Sequence, residues 1–117
     1  MSLAAANAAA FVAEVLNSRS LWAIRDGGGF PTSTNSAGES AMPFWSKESR
    51  ARKIIDSVPA YRNFEPVELS LDEFVGRWLP GLERDGLFIG LNWHGDKAVG
   101  YNLTPQEVRV RLGLIES

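Results

Sequence analysis

One histidine, His94, stands two residues before Asp96 in the segment DGLFIGLNWHGD, and the chain has no second histidine and no cysteine. Imidazole carries a proton near neutral pH and a carboxylate can orient it, so this pair is the smallest unit of general acid–base chemistry in the sequence. Ser46 would complete the residue types of a hydrolytic triad. A nucleophile also needs a base within hydrogen-bond reach, and no G-x-S-x-G elbow surrounds this serine or any other. A metal centre would have to combine His94 and Asp96 with distant carboxylates such as Glu65 or Glu68, because zinc sites built on thiolates are excluded. The glycine between His94 and Asp96 favours a turn. His94 and Asp96 therefore remain an acid/base candidate without an assigned reaction; no residue is named catalytic, and neither a metal nor another cofactor is expected.

A second group invites a binding reading. Four tryptophans, Trp22, Trp45, Trp78 and Trp93, are many for this length, and each lies in an apolar run. Trp22 and Trp78 read as core side chains. Trp45 and Trp93 sit at strand ends beside polar residues, and with Phe44 and Asn92 they form the candidate surface for a ligand or partner, since tryptophan is enriched at binding hot spots. Lys47, Arg50 and Lys53, with Arg52 and Arg62 nearby, make a basic shoulder that Glu48 and Asp56 dilute. The glycines of GGGF resemble a phosphate loop only superficially. No lysine of the P-loop kind follows, and Phe30 and Pro31 continue as a strand pattern, so a hairpin turn is expected.

These residues must be positioned by elements legible in the hydrophobic pattern. Ala8, Phe11, Val12, Val15 and Leu16 follow helical spacing in an alanine-rich opening segment. SLWAIRD and FPTST read as two strands of a hairpin around the glycines, and AMPFWS as a third strand, with Pro43 at an edge or beside a bulge. Ser46 can cap a helix carrying Ala51, Ile54, Ile55 and Val58 on one face. FEPVELS is a fourth strand. SLDE reads as a capping box at Ser70 opening a helix through Leu71, Phe74, Val75, Trp78, Leu79 and Leu82, which Pro80 should kink or break before Asp85 and Gly86. LFIGLNW and AVGYNL form a second hairpin around HGDK, and Thr104, Pro105 and Glu107 cap a closing helix. Short connections between strands predict an α+β domain over residues 1–117, a small mixed, largely antiparallel sheet with helices packed mainly on one face.

Bulk properties bound the function classes. The chain has 117 residues, 44% hydrophobic and 22% charged, with a net charge of −2. Such a balance disfavours duplex nucleic acid and anionic membranes, which are bound chiefly through excess cations. The apolar opening segment is interrupted by Asn7 and Glu14 and is too short to span a bilayer, so a cytoplasmic protein is expected.

The ordered set FWS, EPVEL, EFVGRWLPGL, DG and NW, together with LWAIRDGGGFPTS and MPFWSKESRA, closely resembles a bacterial family known as domain of unknown function 2750. The likeness runs from about Phe11 to Trp93. More loosely, the order is similar to the N-terminal domain of the enhanced serine sensitivity protein B group. The resemblance implies a compact α+β fold and a bacterial cytoplasmic setting, and it brings no reaction, cofactor or site residues. Three functional readings follow. The first is a non-enzymatic interaction module that binds a protein partner or a small ligand, self-association being left open. The second is a small enzyme using His94 as acid or base. The third is a purely structural accessory subunit.

Overall fold

A computed structural model describes residues 1–116. Helix α1 (Leu3–Ser18) starts at Ser2, whose hydroxyl accepts from the Ala5 amide, and it buries Ala8, Phe11 and Val15. Strand β1 (Ser20–Arg25) follows, then the short β2 (Ser33–Thr34), β3 (Ser40–Phe44), α2 (Glu48–Ser57) and a single 3-10 turn (Pro59–Tyr61). Strand β4 (Glu65–Ser70) runs into a continuous helical rod made of α3 (Leu71–Glu73), a π-helical turn (Phe74–Trp78) and α4 (Leu79–Arg84). Strands β5 (Phe88–His94) and β6 (Val99–Leu103) form a hairpin, and α5 (Pro105–Arg111) closes the fold behind a complete capping box of Thr104 and Glu107.

The strands make two sheets, an antiparallel pair β1-β4 and a mixed four-stranded sheet in the order β2-β3-β5-β6, rather than the single sheet expected. β1 pairs with β4, β2 with β3 and β5 with β6 in antiparallel ladders, whereas β3 and β5 run parallel. Parallel neighbours require a crossover, which is supplied here by α2, β4 and the rod. Trp22 and Trp45 exchange both backbone hydrogen bonds, at 2.7 and 2.8 Å, and so stitch β1 to the end of β3. This refines the hairpin expected from SLWAIRD and FPTST. Asp26 and Gly29 do close a tight turn by mutual backbone bonds of 3.1 Å, but the ladder partner of β1 is β4 and that of β2 is β3. Because β1 is apolar toward both faces, with Leu21 and Ala23 on one and Trp22 and Ile24 on the other, it takes an interior position. Pro43 lies in β3 between the Ala41–Ser33 pair and the Trp45–Trp22 bridge, where that side of the strand lacks a ladder partner and the missing N–H costs nothing.

Each face of the sheet carries its own core. Phe11, Val15, Leu21, Phe44, Leu69, Phe74, Leu79, Ile89, Leu91 and Val108 pack together under α1, the rod and α5. On the other face Ile24, Trp45, Ala51, Ile54, Tyr61 and Trp93 pack beneath α2. Helices thus lie mainly on one face, with α2 the exception. Pro80 neither breaks nor ends the rod. The Leu79 amide instead reaches back to the Phe74 carbonyl, and this wider π turn absorbs the disruption that the proline imposes on the helix behind it. Half of the expected box at Ser70 is present: its hydroxyl accepts from the Glu73 amide at 3.0 Å, but the Glu73 carboxylate turns to Arg77 at 3.6 Å.

Near its end β5 departs from a regular strand. Asn92 has φ 49°, and the register of β5 against β6 shifts between Leu91 and His94. This bulge reverses the alternation of side chains. Trp93 consequently falls on the same face as Gly90, and its indole lies directly across that glycine. A Cβ on Gly90 would stand 2.3 Å from Trp93 Cε2, and one on Gly100 would stand 2.8 Å from Trp93 Cδ1. The indole occupies space that only glycines leave open. Substituting Gly90→Ala is therefore expected to destabilise the protein by about 1–3 kcal/mol, the usual range for forced overpacking. Gly27→Ala, with no atom within 4 Å of the new Cβ, should change stability by no more than about 0.5 kcal/mol. Urea denaturation of the two variants checks both values.

Candidate functional site

The FWS and NW segments, 46 residues apart at Ser46 and Asn92, meet in a buried polar junction. The Ser46 backbone N–H donates to Asn92 Oδ1 at 2.9 Å, and Asn92 Nδ2 donates to Ser46 Oγ at 2.9 Å. Nδ2 also donates to the Asn7 carbonyl of α1 at 3.1 Å. The Ser46 hydroxyl spends its proton on Glu14 Oε1 at 2.5 Å. All polar capacity is used, as burial demands, since Asn92 and Ser46 are 1% and 3% exposed. The expectation that Ser46 caps α2 is thereby corrected. Lys47 occupies the cap position without a side-chain bond, and the serine is drawn inward to the asparagine.

Glu14 extends this junction toward charge. Its carboxylate receives Arg50 Nε at 3.1 Å and Arg50 Nη2 at 3.2 Å, with Lys47 Nζ 4.0 Å away. Partial burial alone would raise the Glu14 pKa. The Arg50 and Ser46 hydrogen bonds and the charges of Arg50 and Lys47 outweigh that, and the carboxyl is held below its ordinary value.

Beside the junction opens a cleft of about 400 Å³ between the start of α1, the outer side of α2 and the end of β5. Asn7, Trp45, Arg50, Lys53, Asn92, Trp93 and His94 line it, with Leu3 at its mouth. Of the four candidate binding residues, Trp45, Asn92 and Trp93 thus converge, and Phe44 does not. Adjacent strand residues point to opposite faces, so Phe44 is enclosed in the other core, 5.0 Å from Phe74 and 5.8 Å from Trp78 between ring centres. The aromatic surface expected from Phe44, Trp45 and Trp93 does not form. Trp45 is 0% and Trp93 5% exposed, and their indole N–H groups are engaged by the Trp93 carbonyl at 2.9 Å and by Asn102 Oδ1 at 3.0 Å. Trp45 therefore lies beneath the cleft surface, and only a narrow edge of Trp93 reaches it.

His94 is half-buried at the cleft rather than at the tip of the turn, and its Nδ1 lies 3.2 Å from Asn7 Nδ2. With the amide in this orientation Nδ1 accepts, and Nε2 remains as the ring's donor. Asp96 is exposed in the turn and does not line the cleft. Ser46, His94 and Asp96 are not assembled: the serine serves Glu14 and Asn92, and the histidine serves Asn7. Among the described residues, no three His, Asp or Glu side chains are placed to hold a metal ion. Glu14 is the residue that sequence reasoning passes over as a site component, and Arg50 enters it only through the basic shoulder, without its partner across 36 positions. That spacing gives no local signal, although Glu14 interrupting an otherwise apolar helix was a visible oddity.

A second, more open depression of about 540 Å³ lies between β4 and the rod, lined by Phe30, Met42, Val67, Trp78 and Leu82 with charges of both signs, Arg25, Glu68, Glu73, Arg77 and Asp85. It carries no group from the junction. Among the described residues, no helix is long and apolar enough to cross a membrane.

The depressed Glu14 pKa sets a pH dependence. A carboxylate held below its unfolded value adds stability above about pH 4.5, the ordinary value for the group, and that contribution disappears as pH falls through the folded pKa. Glu14→Gln should therefore lower stability at neutral pH, with the gap to the unsubstituted protein closing in acid. Ser46→Ala, which strips a buried donor and acceptor, should cost about 1–3 kcal/mol. Urea midpoints measured from neutral pH down to about pH 3 test the pair.

The chain has no significant match among curated proteins or among solved structures. A family profile described as protein of unknown function (DUF2750) matches residues 8–112. That span runs from Ala8 in the core of α1 to Leu112 behind α5 and includes the whole Ser46–Asn92 junction, so the chain belongs to the DUF2750 family.

Proposed function

We propose that this protein is a non-enzymatic ligand-binding module whose site is the cleft floored by Trp45, Asn92 and Trp93 and flanked by Arg50, Lys53 and His94. One observation carries the reading: the cleft combines apolar surface, fixed amides and cations, and among the described residues no carboxylate lines it, while its one hydroxyl, that of Ser57, is bonded to the Lys53 carbonyl. General acid–base chemistry through His94 would need a partner to orient the imidazole or to receive its proton, and its hydrogen-bonding neighbour is the neutral amide of Asn7. Ser46 cannot attack a substrate from behind Asn92 while bonded to Glu14. Binding needs none of this. A cleft of about 400 Å³ falls in the range used for small molecules, at its lower end. The setting that belongs with this reading is the bacterial cytoplasm, with a small metabolite as ligand rather than a nucleic acid or a membrane.

The rigid floor favours recognition by shape. The Trp93 indole is fixed by its hydrogen bond to Asn102 and packed on Gly90 and Gly100, so little conformational entropy is lost when a ligand contacts it. A fragment library screened against 15N-labelled protein tests the proposal. Binders are expected to shift the indole N–H signals of Trp45 and Trp93 and the backbone amides of Asn7, His94 and Gly95, leaving the Trp78 indole unmoved. Lys53→Glu, an exposed substitution, should weaken cleft binders with the folded spectrum retained. Hits confined to the Trp78 depression, or none in the library, would sink the reading.

A further inference from the structure

Resting on the cleft as a binding site, we infer that its ligand is a small organic monoanion: one carboxylate attached to a compact apolar or aromatic body. Charge bookkeeping within the cleft leads to this class. Arg50 and Lys53 are the only Lys or Arg side chains lining it, and no Asp or Glu lines it. Glu14, behind the wall, grips Arg50 through two oxygens at 3.1 and 3.2 Å and so takes up that charge. Among the described residues, Lys53 has no ion-pair partner. One positive charge is left over, in a chain whose total is −2.

The remaining donors fit the same group. Arg50 Nη1 makes no bond to Glu14, and His94 keeps Nε2 as a donor because Nδ1 accepts from Asn7. Arg50 and Lys53 are three residues apart on α2, a spacing that puts two side chains on one face of a helix. Together with His94, which also lines the cleft, they supply three donors. The apolar lining comes from Leu3 and the narrow exposed edge of Trp93. A carboxylate accepts several hydrogen bonds at once and carries a single charge, whereas a phosphate monoester would bring about two charges near neutral pH against one unbalanced cation. A neutral ligand would leave the Lys53 ammonium without a counterion, and a cation would be repelled.

Four probes of nearly one shape separate these alternatives: phenylacetate, its neutral isostere phenylacetamide, phenyl phosphate and phenethylamine. Each is titrated into the 15N-labelled full chain near neutral pH, following the Trp45 and Trp93 indole signals. Phenylacetate should saturate in the millimolar range, and phenylacetamide and phenethylamine should bind at least about tenfold more weakly. Lys53→Met should reduce phenylacetate affinity about five- to tenfold and leave phenylacetamide unchanged. Equal affinities for phenylacetate and phenylacetamide, or no effect of Lys53→Met, would overturn the monoanion while leaving the cleft a binding site. Phenyl phosphate binding about tenfold tighter than phenylacetate would replace the monoanion with a dianion. If no probe moves the indoles but library fragments do, the inference alone fails; if neither does, the binding reading falls with it.

Discussion

The side chain of Asn92 is tied to two distant parts of the chain, and the arrangement of this molecule around its cleft depends on those ties. A non-glycine residue at positive φ is uncommon, and asparagine is among the few side chains that tolerate it. Here the conformation is held by the Ser46 amide and hydroxyl on one side and by the Asn7 carbonyl on the other. These bonds join the end of β5 to the β3–α2 connection and to α1, three segments with no local reason to meet. The bulge also reverses the strand's alternation and sends Trp93 across the sheet to Gly90, where its backbone carbonyl receives the Trp45 indole. Leucine in place of Asn92 would satisfy none of these groups.

Electrostatics of the cleft follow from the same junction. The Ser46 proton fixes one oxygen of Glu14, which then presents both oxygens to Arg50 and draws the guanidinium against α1. Helix geometry carries Lys53 to the next turn on the same side of α2. The cations of the cleft are thus placed from within the core, through a carboxylate that does not line the cleft itself. Such an anchor limits the rotamers available to Arg50, which in a free surface arginine would have to be fixed by the ligand at a cost in affinity. Exposed ion pairs elsewhere, such as Arg19 with Asp72 at 63% and 90% side-chain exposure, have no comparable support and add little.

What the sequence disclosed depended on how local each signal was. Helical periodicity through Phe11 and Val15, the box at Thr104 and the hairpin ending in NWHGDK were legible because residues within one or two turns decide them. Family likeness marked FWS and NW as belonging together without giving the reason, which is a hydrogen-bonded pair 46 positions apart. Ser46 was misread as a helix cap for an instructive cause: a serine preceding a charged helix satisfies the local rule, and only burial against Asn92 outcompetes it. Likewise β1 and β2 looked like a hairpin because Gly27 and Gly28 do form a turn. The competing ladder with β4 lies 40 to 50 positions away and leaves no local trace. Trp45 and Trp93 were read as exposed because polar neighbours flank them, yet those neighbours are themselves buried partners of the junction. His94 was assigned to a turn by its glycine, and the bulge instead leaves it at the end of β5 beside Asn7.

These placements also show how the chemically suggestive residues are engaged. The hydrogen bonding of Ser46 and Asn92 is already committed. Ser46 gives its proton to a carboxylate kept ionised by Arg50 and lies under the cleft floor. Asn92 has spent both amide hydrogens and its oxygen on the fold. At the cleft, Arg50 Nη1, the Lys53 ammonium and the free nitrogen of His94 retain donor capacity. Donors held around the cavity in this way are what the proposed binding of an anionic group rests on. Hydrogen bonds to Glu14 and Asn102 hold Arg50 and the Trp93 indole in place beside a cleft of about 400 Å³, so its walls are set by the fold and not by whatever enters it.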